Sequence, residues 1–145
     1  MLEGMKKNNL NIIDSDSGSV MHGLKKSDEG FNKFGEVYFS SIKENSIRGW
    51  KLHNKMTLNL MVPIGRVLFC FFDDRDSSFT KNEFYKILLS RDPYIRLTVP
   101  PRIWFGFKGI GKSDNIICNV SDIIHDPNEI IRKDLNKINI DWSNE

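Results

Sequence analysis

The stretch Arg48-Gly49-Trp50-Lys51-Leu52-His53 sets a guanidinium, an ammonium and an imidazole within six residues. It opens a long alternating and apolar segment and so reads as a β-strand. Side chains alternate along a strand, which puts Lys51 and His53 on one face with Arg48 at the strand's mouth. Charged and titratable groups aimed into an apolar sheet are costly unless they meet a partner. A guanidinium binds phosphate in two-pronged fashion, and an imidazole moves protons near neutral pH. The chemistry these three residues suggest is proton transfer on a polar, anionic ligand. Plainer readings stand beside it: Arg48 in a surface ion pair with an acid such as Glu44, and His53 as a hydrogen-bonded strand residue.

Other side chains could line the same site. Asn59 alternates with apolar neighbours and is expected to point inward, where its amide would bind hydroxyls. Asn119 could do the same. Tyr38, Trp50, Trp104 and Phe105 could stack on a flat or puckered ring, although aromatics at strand spacing are more often core. Arg75, beside Asp73 and Asp74, reads as part of a turn salt bridge. The three histidines, His22, His53 and His125, stand far apart in the chain, so no metal site and no cofactor is expected. Gly106 to Gly111 lacks the glycine pattern of a phosphate-cradling loop.

Short strands must position these groups. Glu36–Ile42, Ile47–Val62, Arg66–Asp73, Tyr94–Val99, Trp104–Phe107 and Asn115–Val120 read as strands separated by turn residues. Thr80-Lys81-Asn82-Glu83 resembles a helix capping box, but Asn82–Ser90 also alternates, and strands flank it; strand is preferred. The tail from Asp126 to Leu135 starts with an acid and Pro127, which suits one short helix. Many short strands with frequent turns indicate a sandwich or barrel. Residues 1–9 are polar and are expected to form a flexible terminus ahead of a single domain, 10–145.

Composition sets limits. A formal charge of +2 with scattered lysines and arginines gives no field for nucleic acid. The longest apolar run, Val67–Phe72, is six residues and cannot span a bilayer as a helix. No signal-like apolar segment is seen near the start, and Cys70 and Cys118 read as buried free thiols. A cytoplasmic protein that binds neither membrane nor nucleic acid is the expectation.

From about residue 35 to 142 the chain resembles the dTDP-4-dehydrorhamnose 3,5-epimerase family. Arg48-Gly49-Trp50-Lys51 is similar to its Arg-Gly-Leu-His element. Ile64-Gly65-Arg66-Val67 and Phe72-Asp73-Asp74-Arg75 resemble two further segments, as do Ser77-Ser78-Phe79-Thr80, Val99-Pro100-Pro101, Phe105-Gly106-Phe107 and the closing Ile140-Asp141-Trp142. The resemblance implies an all-β, cupin-type double-stranded β-helix (jelly roll) and a homodimer. It also implies a nucleotide-sugar ligand, here a 4-keto-6-deoxyhexose used in surface polysaccharide synthesis. Departures fall at the working positions: the family's basic histidine falls on Lys51, a second histidine on Phe105, and its acid tyrosine near Asn119. Asp134 matches the residue that pairs with the base. On this reading Arg48 holds phosphate, Lys51 polarises the ketone, His53 moves the proton and Asp134 holds Lys51. Lys51-Leu52-His53 is also similar to the Gly-Phe-His-Ala-His element of nucleotide-sugar 3,4-ketoisomerases. Two alternatives follow, a 3,4-ketoisomerase and a sugar-nucleotide-binding cupin without catalysis.

Overall fold

A computed structural model describes residues 1–143. Its β-strands, in chain order, are β1 (Lys6–Asn9), β2 (Ile12–Ser15), β3 (Gly18–Met21), β4 (Glu36–Ser41), β5 (Ile47–His53) and β6 (Leu58–Ile64). After them come β7 (Arg66–Phe72), β8 (Phe84–Ser90), β9 (Ile95–Val99), β10 (Trp104–Gly109), β11 (Ile116–Ser121) and β12 (Ile130–Arg132). One sheet runs β1-β9-β6-β11-β4 and the other β12-β5-β10-β7-β8, while β2 and β3 form a separate hairpin. Every ladder between these strands is antiparallel. The two sheets face each other as a jelly roll.

Alternation decides what lies between the sheets. Leu58, Leu60 and Val62 of β6 meet Val67, Phe69 and Phe71 of β7 in the main core. The other face of the second sheet is apolar too. Trp50, Leu52, Leu68, Cys70 and Trp104 lie there under Ile138, Ile140 and Trp142 of the C-terminal segment. Apolar cover on both faces explains why β7 reads as an unbroken apolar run. Trp142 packs its ring 5.4 Å from that of Trp50, and the Lys86 ammonium donates to the carbonyls of Asp141 (2.9 Å) and Ser143 (3.1 Å). The segment is thereby strapped to the sheet. Gly106 permits its close approach, since a Cβ there would lie 2.8 Å from the Trp142 ring.

Asn82–Ser90 is a strand where it matters: β8 pairs with β7 from Arg66↔Ser90 to Phe72↔Phe84. The capping hydroxyl is used elsewhere, because Thr80 Oγ1 donates to the Asp73 carboxylate at 2.7 Å. The expected C-terminal helix is absent. Asp126 caps a single 3₁₀ turn, Pro127–Glu129, and a second covers Leu135–Lys137. Between them Ile130–Arg132 is taken up by the free edge of β5, where pairing satisfies the backbone better than another helical turn would. The terminus read as flexible carries β1, paired with β9, and Leu2 and Met5 lie in the core. Cys70 is buried, whereas Cys118 is only half-buried on the outward side of β11.

Candidate active site

A hollow opens between the sheets at the end where β5, β10 and β12 face β4 and β11. Its floor is aromatic, formed by Phe69, Phe105 and Phe107, and its polar wall is Tyr38, Arg48, Lys51, Asn119 and Arg132. Strand alternation places each group. Tyr38 points inward while Val37 and Phe39 point out, and Asn119 points inward between Cys118 and Val120. Arg132 lies directly across the β12–β5 ladder from Lys51, so both project from the same side of the sheet.

The two sides of the hollow differ in character. On one side Asn119 is fixed at both ends of its amide. Its oxygen accepts from the backbone N–H of Asn59 at 3.0 Å, and its nitrogen donates to the Tyr38 hydroxyl at 2.9 Å. The phenol thus accepts from Asn119 and keeps its own proton to give. Burial pushes its pKa above the usual tyrosine value. On the other side stand three cations. The Arg48 guanidinium sits 5.6 Å from the centroid of Phe107. Lys51 is half-buried, and burial followed by the charge of Arg132 pulls its pKa below the ordinary lysine value, against an opposing pull from Glu129. Among the described residues none of Arg48, Lys51 and Arg132 has a carboxylate in salt-bridge range.

Behind Phe105 lies a buried pair. His53 Nδ1 is hydrogen-bonded to Glu129 Oε1, and each residue is 3% exposed. The other carboxylate oxygen accepts from the backbone N–H of Lys55 at 2.9 Å and of Met56 at 3.4 Å. Burial drives His53 below the usual histidine range despite the carboxylate. Burial pushes Glu129 up, but the bond from His53 and the two amides carry it below the usual carboxylate range. The pair is therefore a neutral imidazole donating Nδ1–H to a carboxylate. His53 Nε2 is buried without a hydrogen-bond partner, and the ring is stacked at 6.0 Å and 14° on Phe105.

The structure gathers only part of the expected set. Arg48, Lys51, Asn119 and Phe105 line the hollow; His53 lies behind it. Asn59 does not face inward. It sits on the outer side of β6, accepting from Thr98 Oγ1 at 2.7 Å and donating to the Gly30 carbonyl at 3.3 Å, because Leu58 and Leu60 take the inward positions. Trp104 faces the strapped side, with Nε1 donating to Asp74 at 2.8 Å and the Lys133 ammonium 4.2 Å from its ring centroid. Asp134 is exposed at the start of the second 3₁₀ turn and forms no ion pair with Lys51. Sequence reasoning missed Glu129 and Arg132, which lay inside the expected helix. It also saw Tyr38 only as a stacking ring. Among the described residues no three His, Cys, Asp or Glu side chains converge on a metal-sized site.

No family model matches the chain. It is similar along nearly its whole length to the dTDP sugar isomerase of Desulfovibrio desulfuricans G20. The two share 32% identity over 99% of this chain and 94% of that one, with a TM-score of 0.93. The chain belongs to the dTDP-sugar isomerase family. Two curated relatives are also similar to the chain. A probable low-salt glycan biosynthesis epimerase of Haloferax volcanii, Agl13, is 27% identical over 74% of this chain and 72% of its own. The spore coat polysaccharide biosynthesis protein SpsL of Bacillus subtilis is 22% identical over 100% of this chain and 99% of its own. This member of the family sets Lys51 and Arg132 side by side at the hollow, and the one buried imidazole among the described residues, His53, lies one layer back.

Proposed function

We propose that the protein epimerises or isomerises a nucleotide-linked 4-keto-6-deoxy sugar in polysaccharide synthesis by moving a proton at a carbon next to the ketone. The observation that carries this reading is the opposed pair across the hollow, the Lys51 amine on one wall and the Tyr38 phenol on the other. Inverting such a carbon needs a base on one face and an acid on the other. Lys51, pulled towards its neutral form, is the base. Tyr38, held by Asn119 and kept protonated by burial, is the acid. Arg48 and Arg132 at the mouth hold the diphosphate, and their charge favours the negative charge that develops on the ketone oxygen. The aromatic floor takes the sugar's apolar face. His53 and Glu129 brace the wall behind Phe105.

This assignment moves proton transfer from His53 to Lys51 and Tyr38, because those two groups line the hollow and His53 does not. The protein also acts, on our reading, in the cytoplasm and as a homodimer. Val37 and Phe39, 45% and 67% exposed on the outer face of the edge strand β4, offer a second copy an apolar surface.

Incubation with dTDP-4-keto-6-deoxyglucose, followed by proton NMR, tests the function. Inverted centres at C3 or C5 identify an epimerase, and a 3-keto product identifies a ketoisomerase. Binding of the nucleotide sugar with no conversion of any kind would leave only a binding protein and end the proposal.

A further inference from the structure

We propose that Arg132 is a positioning residue that acts through Lys51, its charge set directly across the ladder from the lysine so that the amine can serve as a base. This rests on the assignment of Lys51 as the base. The geometry is a direct one. Arg132 and Lys51 are paired residues of the β12–β5 ladder, their side chains share a face, and both border the hollow. Directly opposed like charges repel across a ladder, and folded chains avoid the arrangement unless something else requires it.

Elsewhere the chain pairs its two least exposed arginines with carboxylates. Arg75 bonds Asp73 through two nitrogens, at 2.9 and 2.7 Å, and Arg96 bonds Asp28 at 2.8 Å. Half-buried Lys51 has no such carboxylate among the described residues, and neither have the more exposed Arg48 and Arg132 at the mouth. Glu129, the acid whose charge acts on Lys51, is already committed to His53 and to the amides of Lys55 and Met56.

The charges around Lys51 can be named element by element. Arg132 faces it from β12 and Glu129 from the turn before β12, while Arg48 and His53 share its own strand. Tyr38 faces it from β4, protonated and neutral. Phe105 and Phe107 of β10 and Asn119 of β11 carry no charge. The balance lowers the lysine's pKa from its ordinary value, with burial the larger cause and Arg132 the next. An imidazole base gains strength from a carboxylate behind it. A lysine starts too basic and needs the reverse, a neighbouring cation that sheds its proton.

The test is the pH dependence of kcat/KM, whose acid limb reports the base in the free enzyme. Arg132→Gln removes the charge, so Lys51 holds its proton more tightly and the limb moves to higher pH by about one unit. Arg132→Lys keeps the charge and leaves the limb where the wild type has it. Arg48→Gln moves the limb the same way by less. A diphosphate contact alone would raise KM in Arg132→Gln without moving the limb, and that result overturns the proposal. So does an equal displacement in Arg132→Lys. Wild-type protein that turns over no nucleotide sugar overturns the parent reading, whereas turnover with an unmoved limb overturns this inference alone. Circular dichroism of each variant excludes loss of fold as the cause.

Discussion

His53 and Glu129 join two distant parts of the chain, 76 residues apart in sequence, through one buried bond between imidazole and carboxylate. The same carboxylate collects the N–H groups of Lys55 and Met56 as the chain leaves β5. One side chain thus fixes the end of β5, the turn after it and the start of β12, the strand that carries Arg132. Glu129→Ala leaves three donors without an acceptor, two of them buried away from water. The expected loss is on the order of 3 kcal/mol of folding stability, read as a lower urea midpoint.

Acid weakens this pair, and the sign follows from the direction of each shift. The folded-state pKa of His53 lies below its ordinary 6.5, so the unfolded chain binds more protons in the window beneath that value. Stability is lost as pH falls through about 6.5 towards the folded value. Glu129 adds to the loss as pH falls below its ordinary 4.5. Thermal melts from pH 7.5 downward should show Tm falling before ordinary carboxylates titrate. His53→Phe should lack that first decline.

The sheets were largely legible in the sequence, and the site only in part. The unbroken run of β7 and the alternation of Glu36–Ser41 are strong signals, because each strand has a buried face to satisfy. The edge strand β12 gave no such signal. Three residues, with only Ile130 half-buried and Ile131 and Arg132 exposed, have no periodicity to read, and the cap at Asp126 announced a helix that stops after one turn. Glu129 and Arg132 were hidden by that one error. Asn59 failed for another reason: every residue from Leu58 to Val62 is buried, so alternation could not tell inside from outside. The outer face there is covered by the segment around Gly30, whose carbonyl takes the Asn59 amide.

The base and the acid should separate in their pH behaviour. Lys51 works deprotonated, so activity rises with pH along a limb below the ordinary lysine value of 10.5. Tyr38 works protonated, so the falling limb lies above the ordinary tyrosine value of 10.0. Tyr38→Phe should lower kcat by about 100-fold or more and abolish the falling limb. The measurement is steady-state kinetics across pH.

Arg48 is expected to read the diphosphate. Arg48→Ala should weaken dTDP binding about tenfold or more, the scale of a lost charge-assisted hydrogen bond. It should leave the binding of thymidine nearly unchanged. Titration calorimetry with the two ligands decides the matter.

The C-terminal strap depends on a missing side chain. A Cβ on residue 106 would lie 2.8 Å from the Trp142 ring and 3.0 Å from the Arg48 carbonyl, so Gly106→Ala must lift the strap or move β5. A loss of about 1–3 kcal/mol is expected, the usual cost of overpacking. Chemical denaturation measures it.

Solvent deuterium exchange tests the central claim most directly. The wild-type protein is incubated in D2O with a nucleotide-linked 4-keto-6-deoxy sugar, and label at the carbons beside the ketone is followed by mass spectrometry and NMR. The account predicts that the wild type incorporates label there and that Lys51→Met still binds the nucleotide but incorporates at least about 100-fold more slowly. Exchange at the wild-type rate in Lys51→Met, or none in the wild type, would contradict it.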